Sequence, residues 1–168
     1  MKSSSCAFLT AVFVLFACFA SAQTKPVTAE SQRTLSALFA TFGKDNTCSK
    51  VSDAEAWECS YRGHGLRTIS ARALLVREDV IDADCLMVVS VFATVTDFPD
   101  TTDFLHRLLK FNGDIDFAKL QIFDDGRIAL VAMTPLRLVD KEELTFMLDQ
   151  VAAANNVAFD RFGKDAKQ

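Results

Sequence analysis

The residues of this chain able to carry covalent or metal chemistry are few: five cysteines, two histidines and scattered aspartates. Cys48, Cys59, His64 and Cys85 could in principle form a zinc set. They are separated by 10, 4 and 20 intervening residues, a spacing that matches no zinc pattern, and the expectation is no metal and no cofactor. Asp79, Asp82 and Asp84 lack the glycine and the distant glutamate of a calcium loop, so they read as a solvated turn. Asp114, Asp116, Asp124 and Asp125 flank a hairpin and read as turn and cap chemistry. His106 sits beside Arg107 on a helical stretch and reads as a surface residue, while His64 lies in a glycine-flanked turn. No Gly-x-Ser-x-Gly elbow, no His-Glu-x-x-His pair and no phosphate-binding glycine loop occurs. The pattern points away from an enzyme and names no catalytic residue.

What the cysteines offer instead is a crosslink. Cys48 to Val51 and Ala56 to Tyr61 read as two short antiparallel strands around Ser52-Asp53-Ala54-Glu55. A turn centred on Asp53 and Ala54 sets Cys48 directly opposite Cys59, at a separation that a disulfide spans. Closing this loop removes unfolded-chain entropy worth about 2.5 to 3 kcal/mol in the simple loop model. Cys85 opens an apolar strand and reads as a buried thiol behaving as a small hydrophobe, the alternative being an intermolecular disulfide. Intact mass should rise by two hydrogen atoms per chain on reduction, and an unchanged mass would remove the Cys48–Cys59 staple.

An oxidising compartment is expected from the first 22 residues as well. Lys2 gives a positive start, Cys6 to Phe19 is almost unbroken apolar sequence, and Ala20-Ser21-Ala22 supplies a small-x-small cleavage site. The reading is a signal peptide over residues 1–22, a mature start at Gln23 and a periplasmic or extracellular location. A lipoprotein carrying its lipid on Cys18 is the minor alternative, from the loose lipobox Leu15-Phe16-Ala17-Cys18. No later stretch comes near the roughly 18 apolar residues of a membrane span, so no stable membrane insertion is expected after cleavage. Losing Lys2 takes the formal charge from −4 to −5, and the cations are scattered, which argues against a nucleic-acid partner.

Residues 23–168 suit one α+β domain, with 23–28 and 163–168 expected to be loose. A helix over Ala29 to Phe42 is capped by Thr28 and shows Leu35, Leu38, Phe39 and Phe42 on one face. After the two short strands, Arg67 to Arg77 and Asp84 to Thr96 read as long strands. A helix with Asp100 or Thr101 as cap carries the stripe Phe104, Leu105, Leu108 and Leu109 and stops at Asn112-Gly113. The final helix opens on Asp140, with Glu143 completing a capping box and Val139 stapled to Leu144, and stops at Asn155-Asn156. The order α-β-β-β-β-α-β-β-α gives an antiparallel sheet packed by helices.

Asp125-Gly126 reads as a two-residue hairpin turn. That register pairs Ile122 with Ala129, Leu120 with Val131 and Ala118 with Met133 on the core face. Phe123 with Ile128, Gln121 with Leu130 and Lys119 with Ala132 then share the other face. The expected binding surface is therefore Lys119, Gln121, Phe123, Ile128 and Leu130, unusually apolar for a solvated face.

From Leu108 onward the residues resemble the core of the bacterial YbjN-type sensory-transduction-regulator family. Leu108, Leu109, Asn112, Phe117-Ala118-Lys119, Asp125-Gly126, Pro135 and Glu142-Glu143 carry the pattern, over about the last 60 residues. The resemblance implies a fold similar to type III secretion chaperones, which dimerise and bind partner proteins, and it implies no agreed biochemical activity. The export signal and the cysteine pair depart from the typical cytoplasmic members. The expected function is an exported, non-enzymatic, chaperone-like module binding a protein partner or itself. The alternative is a periplasmic small-molecule-binding domain with Phe92, Phe104 and Met133 lining a cavity between sheet and helices. A hydrolase with an unrecognised site is a third reading.

Overall fold

The computed structural model describes residues 25–42, 47–52, 56–63, 66–98 and 102–163. The expected leader with Cys18, the turn residues Asp53 and Ala54, His64, the caps Asp100 and Thr101, and the tail 164–168 lie outside the described residues. The elements are α1 (Ala29–Phe42), β1 (Thr47–Lys50), β2 (Ala56–Tyr61), β3 (Ile69–Glu78), β4 (Ala83–Thr94), α2 (Thr102–Asp114), β5 (Lys119–Ile122), β6 (Arg127–Pro135) and α3 (Lys141–Phe162). All six strands form one antiparallel sheet in the order β1-β2-β3-β4-β6-β5. The expected α+β class and element order are those observed.

The helices share one side of the sheet because their apolar faces have a single partner surface. Phe39 of α1 stacks on Trp57 of β2, with ring centroids 4.8 Å apart. Phe104 and Phe111 of α2 meet Phe162 of α3 edge-on at 5.9 and 5.5 Å. Leu144, Met147, Leu148 and Val151 of α3 lie in the same core cluster as Ala71, Ala73, Leu86, Val88, Leu130 and Ala132 of the sheet. The register sets Cys48 opposite Cys59, and a disulfide joins them across Cα atoms 4.1 Å apart. Cys85 is a free, buried thiol whose pKa is pushed up by burial and then by Glu78 and Asp84.

Two expectations about helix limits and one about a buried stripe are corrected. Asn155 and Asn156 do not end α3, which runs to Phe162. The two amides stay inside the helix because they have partners elsewhere: Asn155 Nδ2 donates to Ser90 Oγ at 3.1 Å, and Asn156 Oδ1 accepts from Arg67 N and Nε at 3.2 Å. Asn112-Gly113 likewise lies inside α2. The Asn112 amide receives the Leu120 N–H at 2.7 Å and donates to the Leu120 carbonyl at 3.1 Å, closing part of the exposed edge of β5. The buried stripe of α2 is Phe104, Leu108 and Phe111, which leaves Leu105 and Leu109 in solvent.

Residues 25–28, expected to be loose, are tied down by the acidic cluster that was expected to be a solvated turn. Asp84 Oδ2 accepts from Thr28 N at 3.1 Å, Thr28 Oγ1 at 2.9 Å and Ser31 Oγ at 2.6 Å. Its other oxygen faces Arg77 at 3.2 Å, and Asp82 binds both Lys25 and Arg77. A carboxylate against the first turn of α1 complements both its free N–H groups and its dipole. Burial alone would raise the Asp84 pKa, but Ser31, Thr28 and Arg77 outweigh it and hold the group at about 2. The unfolded chain, with an ordinary value of 3.8, therefore takes up the proton first. This contribution to stability is complete above pH ~4 and is lost as pH falls toward 2. Asp84→Asn should flatten the slope of stability against pH in that window, measured by urea unfolding; an unchanged slope would contradict the assignment.

Candidate functional site

The side of the sheet away from the helices carries no helix among the described residues. Its composition follows from strand alternation. Cross-strand pairing sets Ala56, Leu74, Met87 and Met133 in one row and Glu58, Arg72, Val89, Val131 and Lys119 in the next. Val91, Ala129 and Gln121 continue the same face, and Phe123 and Arg127 close it. The centre of this surface is aliphatic, with Val91 46 % and Met133 45 % exposed. Its rim is polar: Glu58, Ser60, Ser70 and Arg72 along β2 and β3, Lys119 and Gln121 along β5. An apolar centre inside a polar rim is the anatomy of a protein-binding patch.

The expected binding residues divide between the two faces. Ile128 and Leu130 are fully buried against the helices and cannot contribute to an exposed surface. The cause is the turn. Asp124-Asp125-Gly126 forms a three-residue loop, closed by Phe123 N to Arg127 O at 2.9 Å, with Gly126 at φ +83°. Such a loop pairs a type I turn with a glycine bulge. Lys119 therefore pairs with Val131 and Ile122 with Ile128, one residue away from the expected register. A slip of one residue sends every side chain to the opposite face. Lys119, Gln121 and Phe123 remain on the open side, although the Lys119 ammonium folds back onto the Asn112 and Ile115 carbonyls at the end of α2.

The expected cavity between sheet and helices does not form around Phe104. Phe104 stacks on Phe98 at 4.5 Å, Phe92 stacks on Phe98 at 5.9 Å, and Phe162 packs against the group, so aromatic rings fill that space. Met133 lies on the other side of the sheet. A groove of about 490 Å³ opens instead where β3 and β4 part company, lined both by the bare face and, on the helix side, by Ile69, Ser90 and Phe92 with Asn155 and Phe159 of α3. Their ladder ends at Arg72 and Val89, beyond which the Ser90 hydroxyl donates to the Ser70 carbonyl at 2.9 Å. Leu74, Met87, Val89, Val91 and Phe123 make its apolar wall on the open face. Arg67, Arg72 and Arg127 stand around it with Glu58.

Several of these positions carried no local signal in the sequence. Arg67 lies 3.6 Å over the Phe159 ring and bonds Asn156, a residue 89 positions away. Nearby, the Tyr61 hydroxyl donates to Asp149 at 2.8 Å, and burial together with that carboxylate pushes its pKa up to about 12. His106 is exposed on α2. Among the described residues, no group of three or more His, Cys, Asp or Glu side chains could hold a metal ion. No helix among them is long and apolar enough to cross a membrane.

No protein-family profile matches the chain, and no curated protein matches it either. Solved structures do match by fold. One is a chain of the HopA1–SchA chaperone–effector complex, with 13 % identity and a TM-score of 0.52, over 77 % of this chain and 95 % of that one. Another is a chain of the ExsC–ExsE complex, with 11 % identity and a TM-score of 0.48, over 82 % and 96 %. The secretion-chaperone-like fold expected from the sequence is the fold observed.

Proposed function

We propose that this chain is an exported, non-enzymatic, chaperone-like module that holds an apolar segment of a client protein on the open face of its sheet. The observation that carries the reading is the bare aliphatic centre formed by Leu74, Met87, Val89, Val91 and Met133 within a polar rim. Leaving such a patch in water costs solubility, and soluble chains keep one where another molecule covers it. The fold shared with a chain of a chaperone–effector complex supports the same class of role. The Cys48–Cys59 disulfide supports an oxidising compartment, as does the leader pattern over residues 1–22. The Leu108 to Glu143 pattern supports a YbjN-type relationship.

Suppression of aggregation of a chemically unfolded test protein, followed by light scattering, examines the proposal. The wild-type chain should delay aggregation, and the double variant Val91→Asp, Met133→Asp should lose that effect by at least tenfold in effective concentration. Leu109→Asp, at a 69 % exposed site on α2, should retain it. Equal activity in the double variant would remove the open face from the function.

A further inference from the structure

We propose that the tip of the β3–β4 hairpin of one molecule docks into the groove on the open face of a second, so that copies join head to tail. The inference rests on the reading of that face as a protein-binding surface and names the partner that occupies it when no client does.

The tip has the chemistry of an inserted ligand. Hairpin ends ordinarily use glycine, asparagine or aspartate. Here Val80 and Ile81 stand at the end, 92 % and 55 % exposed, and Val80 adds almost nothing to its own core. The loop is already ordered: Asp82 N donates to the Asp79 carbonyl at 3.3 Å and Val80 N to Glu78 Oε1 at 3.2 Å. Asp82 sits at φ 48°, its carboxylate held by Lys25 and Arg77. A preformed tip loses little conformational entropy on docking.

The charges match as well. Around the tip, Glu78, Asp79, Asp82 and Asp84 outnumber Lys25 and Arg77. Around the groove, Arg67, Arg72 and Arg127 outnumber Glu58, and they still do so when Asp125, paired to Arg127 at 2.7 Å, is included. This basic patch stands out on a chain whose formal charge is −4. An acidic, apolar tip therefore meets a basic, apolar groove of about 490 Å³, ample for two branched side chains.

Geometry selects the second copy. Tip and groove lie at opposite ends of one hairpin, with Val80 eight residues from Arg72, or about 25 Å of strand. A paired hairpin cannot fold back over that distance, so the contact is made between molecules. Two grooves facing each other would oppose like charges, which disfavours a symmetric pair across this face. A head-to-tail contact leaves a free tip at one end and a free groove at the other, and so extends into chains or a ring. The area is that of one hairpin end, so the association is reversible and salt-sensitive.

Sedimentation velocity of the full chain purified from its own cells tests this. Mean mass should rise with concentration at low salt and return to that of a monomer at high salt. Val80→Lys and Arg72→Glu, both at exposed sites and both checked for an unchanged melting temperature, should each weaken association at least tenfold. Mixed in equal amounts, they should give a dimer and nothing larger, because the mixture pairs one working tip with one working groove. A wild-type mass independent of concentration, or variants that associate like the wild type, would overturn the proposal. So would a mixture that stays monomeric. If the wild type stays monomeric while Val91→Asp, Met133→Asp still abolishes protection of the unfolded test protein, tip docking falls and the client-binding reading stands.

Discussion

Replacing Phe162 by alanine should lower the stability of the folded chain by about 3 to 5 kcal/mol, the range for truncating a fully buried aromatic residue. Phe162 is fully buried at the last turn of α3. Its ring meets Phe92 at 6.4 Å, Phe104 at 5.9 Å and Phe111 at 5.5 Å, all at edge-on angles. Truncation removes the buried area and leaves a cavity bounded by three rigid rings that collapse poorly into it. Domains of this size have only about 5 to 15 kcal/mol in total, so the variant should unfold at a much lower denaturant concentration. Phe159→Ala, three residues earlier and 48 % exposed, provides the comparison and should cost far less. Had the helix stopped at Asn155-Asn156, Phe162 would lie in a tail and its loss would scarcely register. Equal losses for Phe159 and Phe162 would contradict the packing.

The second large effect separates the two faces of the sheet with one charge. Leu130 and Val91 lie one register step apart, since Leu130 pairs with Ser90 and Ala129 with Val91. Leu130→Asp places an unpaired carboxylate among apolar side chains at a fully buried site, and a loss above about 4 kcal/mol is expected. Val91→Asp places the same charge at a site 46 % exposed, where roughly 1 kcal/mol or less is expected. Urea unfolding of the two variants reads the difference directly. The register of a two-residue Asp125-Gly126 turn would reverse the order, with Leu130→Asp the tolerated change.

That hairpin shows where local sequence stops deciding structure. Asp124-Asp125-Gly126 is compatible with a two-residue turn needing positive φ at both central positions, or with a three-residue loop needing it only at glycine. Among the described residues, Asp82 is the only non-glycine residue with positive φ, so Asp125 is spared that cost. The choice between registers rests on which faces of β5 and β6 meet the helices, a contact made by residues far apart in the chain. Asn155, Asn156 and Asp84 were illegible for the same reason. Asparagine pairs read as a helix stop and aspartates between strands read as a turn, until Ser90, Arg67, Thr28 and Ser31 arrive from elsewhere.

Features governed by near neighbours were legible. Thr28 Oγ1 accepts from Ser31 N at 3.2 Å, and Asp140 Oδ1 accepts from Glu143 N at 2.8 Å, as their positions before amphipathic stretches implied. The Cys48–Cys59 pairing followed from a short turn in which local geometry leaves little choice. The open face was legible only as a surplus of apolar residues. Which of them remain in water depended on three helices all choosing the same side.

A photoreactive amino acid built in at Val91 or at Leu109, followed by irradiation of the cells that make the chain, tests the central claim most directly. Both sites are exposed, but only Val91 lies on the open sheet. Covalent adducts to other polypeptides should form from Val91 and be missing from Leu109. Adducts of equal yield at both sites, or from Leu109 alone, would mean that the bare face of the sheet is not where this protein meets its partners.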